Sequence, residues 1–490
     1  MPDNVSFAEI PLDIRTPGQY IEIDNSKAVQ GLPTMDRKVL ILGQRLAAGT
    51  VAEKVPTRVL NADQAAGYFG RGSQLHAMIA AAKTANPYAD LWALALNDLV
   101  AGAAAVGTIT VTGTATESGT QYVYVAGGRV AVGVVANDNA TTVGASIAAA
   151  INAAADLPVT AAAVAGVVTL TARHKGECGN AIDLRLNYFM GEATPKGITL
   201  VIVAMAGGTG NPDVSGALTA IGDDQYYTLV TPWTDSANML ALENELGSRW
   251  GAMRQKTGHA FAALSGTHGA LTTYGSARNS PHSTVFGTGK SPTAPWVAAS
   301  LLAAVCEFSG SIDPARPFQT LELPGMLPPA EKDRFTRQER NLLLKDGIST
   351  FIIDAGGRCL IERVVTTYQT NAFGIEDISY LDLETKWTVD YIRYAVRARI
   401  ALRFPRYKLA NDGTNFAPGQ AVVTPNVIRA ELIGLFKELE QVALVENFDQ
   451  FKRDLLVVRS TSDPNRVNAV IPPDIVNQFR VFAAAVQFRL

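Results

Sequence analysis

The chain has 490 residues, 47% of them apolar and 18% charged, with a formal net charge of −3. It is too long for one ordinary core and apolar enough to bury several, and it lacks the general basic field that nucleic-acid binding needs. Its three cysteines, Cys178, Cys306 and Cys359, form no CxxC pair and have no histidine at ligand spacing, which predicts free thiols and argues against a disulfide framework or a thiolate metal site. The residues up to Asp13 show neither a basic n-region nor an apolar h-region, so no secretory signal is expected and synthesis in the cytoplasm is. Apolar runs such as Ile198 to Ala206 fall far short of the ~20 residues that span a bilayer.

Residues 1–35 carry Pro11, Pro17 and Pro33 and little sign of a core. Within them Tyr20 to Asp24 alternates Ile21 and Ile23 with Glu22 and Asp24, a short extended strand with no local partner, as an arm would be. Val39 to Gly43 is a continuous apolar run closed by glycine, the pattern of a strand buried on both faces. Asn61 and Ser73 are predicted N-caps of two helices, Asn86-Pro87 ends the second, and Leu91 to Leu96 returns as a buried strand. Strand-helix-strand alternation predicts an α/β layer.

From Gly107 the sequence becomes rich in Val, Thr, Ala and Gly. Thr108–Thr112, Gln121–Ala126, Arg129–Val135, Val159–Val164 and Val167–Thr171 read as short strands, with tight turns at Gly127-Gly128 and Ala165-Gly166 and an alanine-rich helix from Thr141 to Ala154. Residues 104–195 are therefore expected to be a β-rich domain inserted into the first, with Ile198 to Ala206 resuming the interrupted sheet. The α/β pattern continues with a strand at Tyr226–Val230, a helix opened by Asp235, a strand at His259–Leu264 and an apolar helix led by Pro295 at its first position. After a proline-rich linker, Pro314 to Pro329, come a charged helix to Lys345, a hairpin across Gly356-Gly357, a basic amphipathic stretch from Val389 to Leu402, a helix from Pro425 to Glu440 and a strand Asp454 to Arg459. These predict a separate C-terminal α+β domain. At the end, Phe482, Ala484, Val486, Phe488 and Leu490 share one face of an amphipathic strand, so each end of the chain carries a strand in search of an edge.

Candidate chemistry is thin. Gly287-Thr-Gly-Lys-Ser291 resembles part of a phosphate loop, but position 284 is threonine where the first glycine belongs, the segment from Arg278 to Val285 does not read as a buried strand, and Pro292 follows at once. His259, His268 and His282 lie near Ser265, yet no pair has metal-ligand spacing and no nucleophile elbow holds the serine. Asp223-Asp224 and Asp382 with Glu384 lack a cation-binding loop and read as salt-bridged surface. Arg393, Arg397, Arg399, Arg403 and Arg406 form a basic stripe whose simplest role is ion pairing within or between subunits. No catalytic residue, metal ligand or cofactor is expected.

The run from Arg363 to Asn371, with Tyr380-Leu-Asp-Leu383 and Tyr391-Ile-Arg393, resembles the C-terminal domain of Mu-type phage tail sheath proteins. So do Asp463-Pro-Asn-Arg466, Ile471-Pro-Pro-Asp474, Val476 to Arg480 and Gln487-Phe-Arg-Leu490, and in the N-terminal half Ser73 to Lys83 and Ala206 to Pro212. The resemblance implies a non-enzymatic virion subunit that forms hexameric rings stacked helically around a tail tube, with baseplate and tail terminator proteins as partners and the β-rich insertion on the outer surface. It also implies that the terminal arms add strands to neighbouring subunits. The nominated inter-subunit residues are thus Tyr20, Ile21 and Ile23 with Phe482, Ala484, Val486, Phe488 and Leu490. The expected fold is α+β and multidomain: an N-terminal arm (1–35), a discontinuous α/β core (36–103 and 196–329), the insertion (104–195), a C-terminal α+β domain (330–474) and an arm strand (475–490). The rival functions are the sheath of a phage-derived bacteriocin or type VI-like injection system, an α/β nucleotide hydrolase built around Lys290, and a carbohydrate-binding role for the insertion.

Overall fold

The computed structural model describes residues 15–21, 31–417 and 419–489. They form two units, Asp36–Lys386, and Met1–Met35 with Trp387–Leu490. The larger unit begins with β1 (Val39–Gln44), β2 (Thr57–Arg58), α1 (Ala62–Phe69), α2 (Gln74–Ala85) and β3 (Leu91–Leu96). The insertion contributes β4 (Ala104–Gly113), β5 (Gly119–Val125), β6 (Gly128–Val134), α3 (Ala140–Ala153), β7 (Val159–Val164), β8 (Val167–Lys175), β9 (Leu184–Leu186) and β10 (Ile198–Ala206). Then follow α4 (Ser215–Ile221), β11 (Thr228–Val230), α5 (Ser236–Trp250), β12 (His259–Ser265), α6 (His268–Ser276), β13 (Ser283–Gly289), α7 (Pro295–Ile312), α8 (Arg337–Lys345), β14 (Ile348–Ile353) and β15 (Cys359–Arg363).

The core is an eight-stranded sheet in the order β15-β14-β13-β12-β11-β1-β3-β2. From β14 to β3 every pairing is parallel, and the two edge strands, β15 and β2, are antiparallel. Every residue of β1 is buried because helices cover both faces of a parallel sheet. Leu40 and Leu42 face a cluster with Val214, Trp233, Leu242 and Leu246 from the α4–α5 side. On the opposite face Gly43 lets α2 close in, since a Cβ there would lie 3.3 Å from the Leu75 Cα. The cap residues act as expected: Asn61, Ser73 and Asp235 each accept a backbone N–H of the first helical turn. Helix α7 is long and apolar enough by composition to cross a membrane, yet most of it is buried in this core, packed on α2 and β12. It is tied to the sheet by a buried ion pair. Arg37 Nε donates to Glu307 Oε1 at 2.6 Å and its guanidinium lies over the Tyr227 ring at 4.0 Å, while the Thr228 hydroxyl donates to the other Glu307 oxygen.

Two sequence expectations are corrected here. Ile198 to Ala206 does not resume the core sheet; β10 pairs antiparallel with β4, and Leu91–Leu96 pairs instead with β1 and β2. The burial of β10 alternates, as it must on the outer strand of a sheet with one wet face, whereas a core strand would be buried on both. Residues 348–363 also extend the core sheet through β14 and β15, so the sheet runs across the boundary placed at Pro329–Ala330.

The insertion consists of a four-stranded sheet, β10-β4-β8-β7, and a three-stranded sheet, β6-β5-β9. Its two tight hairpins turn at Ala126-Gly127 (φ 51° and 84°) and Ala165-Gly166 (φ 48° and 85°), the double positive φ that matches strand twist. The β7 edge is closed at Ala161, whose N–H and C=O both bond the Asn152 side chain from α3. At the root, Ala103 and Thr209 exchange backbone hydrogen bonds of 3.0 and 3.1 Å. Beside it Asp98 accepts from Gln44 Nε2 and the Lys175 N–H and lies 2.8 Å from His174 Nδ1.

In the smaller unit, α9 (Leu383–Arg403), which starts in the larger one, is followed by the paired β16 (Lys408–Leu409) and β17 (Val422–Val423) and by α10 (Pro425–Gln441). The strands β18 (Val445–Glu446), β19 (Leu456–Arg459), β20 (Val467–Val470) and β21 (Asp474–Ile475) pair as β18-β21 and β19-β20, with α11 (Phe448–Asp454) between. Phe436 stacks on Phe451 at 4.0 Å. Tyr391 and Tyr394 donate to the carbonyls of Pro33 and Thr34, holding that segment on α9.

Candidate assembly interface

The residues that suggested chemistry are engaged elsewhere. Contrary to the sequence reading, a buried strand does lead into the segment from Gly287 to Ser291: β13 runs from Ser283 to Gly289, so Gly287, Thr288 and Gly289 are its last residues. The segment's hydroxyls and lysine nonetheless have protein partners. Thr288 donates to the Leu264 carbonyl, Ser291 to that of Leu327, and Lys290 Nζ lies 2.8 Å from Asp333 Oδ1. That lysine holds the Asp333 carboxyl below the usual range, so the adjoining cavity of about 210 Å³ is lined by a carboxylate, which would repel a phosphate.

The histidines are scattered through structural contacts. His259 Nε2 meets the Thr284 hydroxyl at 2.9 Å, and burial, with Lys386 and His282 nearby, pushes its pKa well down. His268 contacts the Glu339 carbonyl, and His282 packs beside Trp250. Burial pushes the Cys178 and Cys359 thiols up to about 12 and Cys306 well above its ordinary value, which removes the thiolate that reactivity needs. Asp223 is paired with Arg254 and Lys256, Asp382 makes two bonds to Arg363, and buried Glu384 accepts the Phe318 N–H. Among the described residues no group of three His, Cys, Asp or Glu side chains is placed to hold a metal ion. The arginine stripe divides: Arg399 is buried against Glu431 and Glu438, Arg403 bonds Glu431, and Arg397 and Arg406 face solvent.

The nominated assembly residues that the structure describes lie on the surface. Tyr20 and Ile21 are exposed and outside any strand; Ile23 and Leu490 fall outside the described residues. From Val481 to Arg489 the chain belongs to no helix or strand. Phe482, Val486 and Phe488 are 80%, 90% and 80% exposed, and Ala484 is exposed with them. A row of large exposed apolar side chains on a segment outside any sheet is the arrangement strand addition uses. Sequence reasoning missed a second exposed apolar feature, the Thr370–Tyr380 loop, in which Phe373, Ile375 and Ile378 are 88%, 63% and 72% exposed. Its sequence signal is three bulky apolar residues spaced around Asn371 and Gly374.

Three family models match successive parts of the chain: the phage tail sheath protein beta-sandwich domain at residues 100–199, the central domain at 207–367 and the C-terminal domain at 376–489. The chain is 45% identical over 487 residues to the Mu-like prophage FluMu tail sheath protein of Haemophilus influenzae, covering 99% of this chain and 100% of that one. Among solved structures, a sheath tail protein of Listeria innocua is similar with a TM-score of 0.50 at 13% identity, over 92% of this chain and 95% of that one. A sheath tail protein of Desulfitobacterium hafniense gives 0.48 at 16% identity, over 94% and 100%. The chain belongs to the phage tail sheath family, and the relative it matches along its whole length is the tail sheath protein of a Mu-like prophage.

Proposed function

We propose that the chain assembles as hexameric rings stacked into a helical sheath around a tail tube, bounded by baseplate and terminator proteins and built in the host cytoplasm before it joins the virion. Contraction needs no fuel in this reading. A sheath assembled on its tube is held in an extended arrangement, and release at the baseplate lets contacts between subunits re-form in a lower-energy array that drives the tube through the host envelope. The N-terminal arm with Tyr20, Ile21 and Ile23 and the C-terminal arm with Phe482, Ala484, Val486, Phe488 and Leu490 keep neighbours linked while the array rearranges. The division into arms, discontinuous core and β-rich outer module belongs to the same proposal.

The observation that carries it is the C-terminal arm, whose exposed apolar row from Phe482 to Phe488 lies outside any sheet of its own subunit and calls for a neighbour's sheet edge. Negative-stain microscopy of the purified chain tests it. Rings or tubes of uniform diameter are expected, and a chain that stays monomeric at high concentration and in added salt refutes it.

A further inference from the structure

The Thr370–Tyr380 loop is ordered far beyond what an exposed surface loop requires. Asn371 Oδ1 accepts the N–H groups of Phe373 and Ile375, the Asn371 N–H donates to the Ile375 carbonyl, and the Gly374 N–H returns to the Asn371 carbonyl. Gly374 sits at φ 74°, where glycine is unstrained. At its base the Asn279 side chain bonds the Thr370 carbonyl, Gln369 Nε2 bonds the Gly275 carbonyl, and the Tyr368 hydroxyl bonds Asp377. This framework presents Phe373, Ile375 and Ile378 to water, with Glu376 and Asp377 beside them. Fixing a loop costs conformational entropy, and a fixed apolar tip gains no burial within the subunit.

The smaller unit carries a recess of complementary character. Leu32, Pro33 and Thr34 form one wall and Ala398 and Leu402 of α9 the other, around about 450 Å³. That lies within the roughly 300–1,000 Å³ of sites that take compact ligands. Leu402 is exposed in it. The Arg399 and Arg403 charges along the recess are balanced by Glu431 and Glu438, which leaves Arg397, Arg406 and Lys408, all exposed, as a positive excess at this end of α9.

We infer that the Phe373/Ile375 tip of one copy docks in the Leu32–Leu402 recess of another, with Glu376 and Asp377 facing Arg397 and Arg406. A protruding patch on one surface and a matching recess on a different one make a heterologous contact, which propagates into rings or helices where a self-matching patch stops at a dimer. The inference rests on the polymer proposed above and supplies it with a contact independent of the terminal arms.

The test uses the full-length chain with Cys178→Ser as background. Two singly substituted proteins, Ile375→Cys and Leu402→Cys, are mixed, assembled and oxidised, and a cross-link joining one copy of each is expected. In parallel, Phe373→Ser with Ile375→Ser should raise the assembly concentration about tenfold or more. Glu376→Lys should weaken assembly, and Arg397→Glu with Arg406→Glu should restore it to within about threefold. The inference is overturned if wild-type protein forms tubes and the loop variant, with an unchanged melting curve, forms them equally well. It is also overturned if cross-links join only identical copies. Should wild-type protein form no tubes, the polymer reading itself fails, a result distinct from either.

Discussion

Ending the chain at Val481 removes Phe482, Val486 and Phe488, each at least 80% exposed, and leaves every strand and helix of the subunit in place. Because the lost side chains cover nothing within the chain, subunit stability should change by no more than about 0.5 kcal/mol. Assembly should respond very differently. Full burial of side chains of this size is worth roughly 1.5–3 kcal/mol each, so the three together contribute roughly 4.5–9 kcal/mol per contact before the cost of ordering the arm. At about 1.4 kcal/mol per tenfold, that corresponds to some three to six orders of magnitude in association, an upper bound because arm ordering opposes it. Sedimentation velocity and negative-stain microscopy across a concentration series read assembly, and urea unfolding reads stability. Tubes from the truncated chain at the wild-type concentration would refute the arm argument. A truncated chain that aggregates or melts well below wild type would place the strand in its own core.

Four further outcomes follow from the geometry. Arg37→Met leaves Glu307 buried without its cation and should cost about 3–5 kcal/mol, whereas Arg37→Met with Glu307→Leu should recover most of that in urea unfolding. His259 has a folded pKa depressed below 6.5, so above that value it contributes no pH dependence, while below it the unfolded chain takes up a proton that the folded chain refuses. Stability is therefore lost as pH falls, by about 1.4 kcal/mol at one unit below 6.5, and His259→Gln should flatten that slope while His76, also lowered by burial, retains its share. Lys290→Ala breaks a half-exposed pair with Asp333 and should cost no more than about 1 kcal/mol, with assembly and contraction unchanged; a contraction defect in normal tubes would revive a nucleotide role. Replacing residues 103–209 by a short Gly/Ser linker, with Gln44→Leu to spare a buried amide the loss of its Lys175 carbonyl partner, should give a folded chain that still polymerises by microscopy.

The elements with local signatures were legible in the sequence. The apolar run at Val39–Gly43, the caps Asn61, Ser73 and Asp235, Pro295 at the head of α7 and the paired hairpins of the insertion each follow from backbone chemistry confined to a few residues. What failed depended on distant partners. Strand β10 reads as core by composition, and only its pairing with β4 reveals where it belongs. Strand β13 was hidden by Ser283, Thr284 and Thr288, whose buried hydroxyls are satisfied by Glu243, Val365 and Leu264 from other segments. At the interface, the apolar alternation of the C-terminal arm was visible because a strand's period is two. The Phe373 loop was not, because an apolar turn has no period to announce it.

The root of the insertion decides what this chain can carry there. The chain leaves the core layer of the larger unit at Gly102 and returns at Gly210, and a Cβ on Gly210 would stand 2.8 Å from the Gly102 Cα. Exit and re-entry therefore share one doorway, closed by the Ala103–Thr209 pair. The gap that any replacement must bridge is set by that doorway and is unrelated to the size of the module beyond it. Loop-closure entropy rises only slowly with length, so a larger or smaller module adds little strain to the sheet it hangs from. The position works as a socket, at which a lineage can exchange modules, or an engineer can graft a reporter or a receptor-binding domain, while the strand order of the underlying sheet stays as it is.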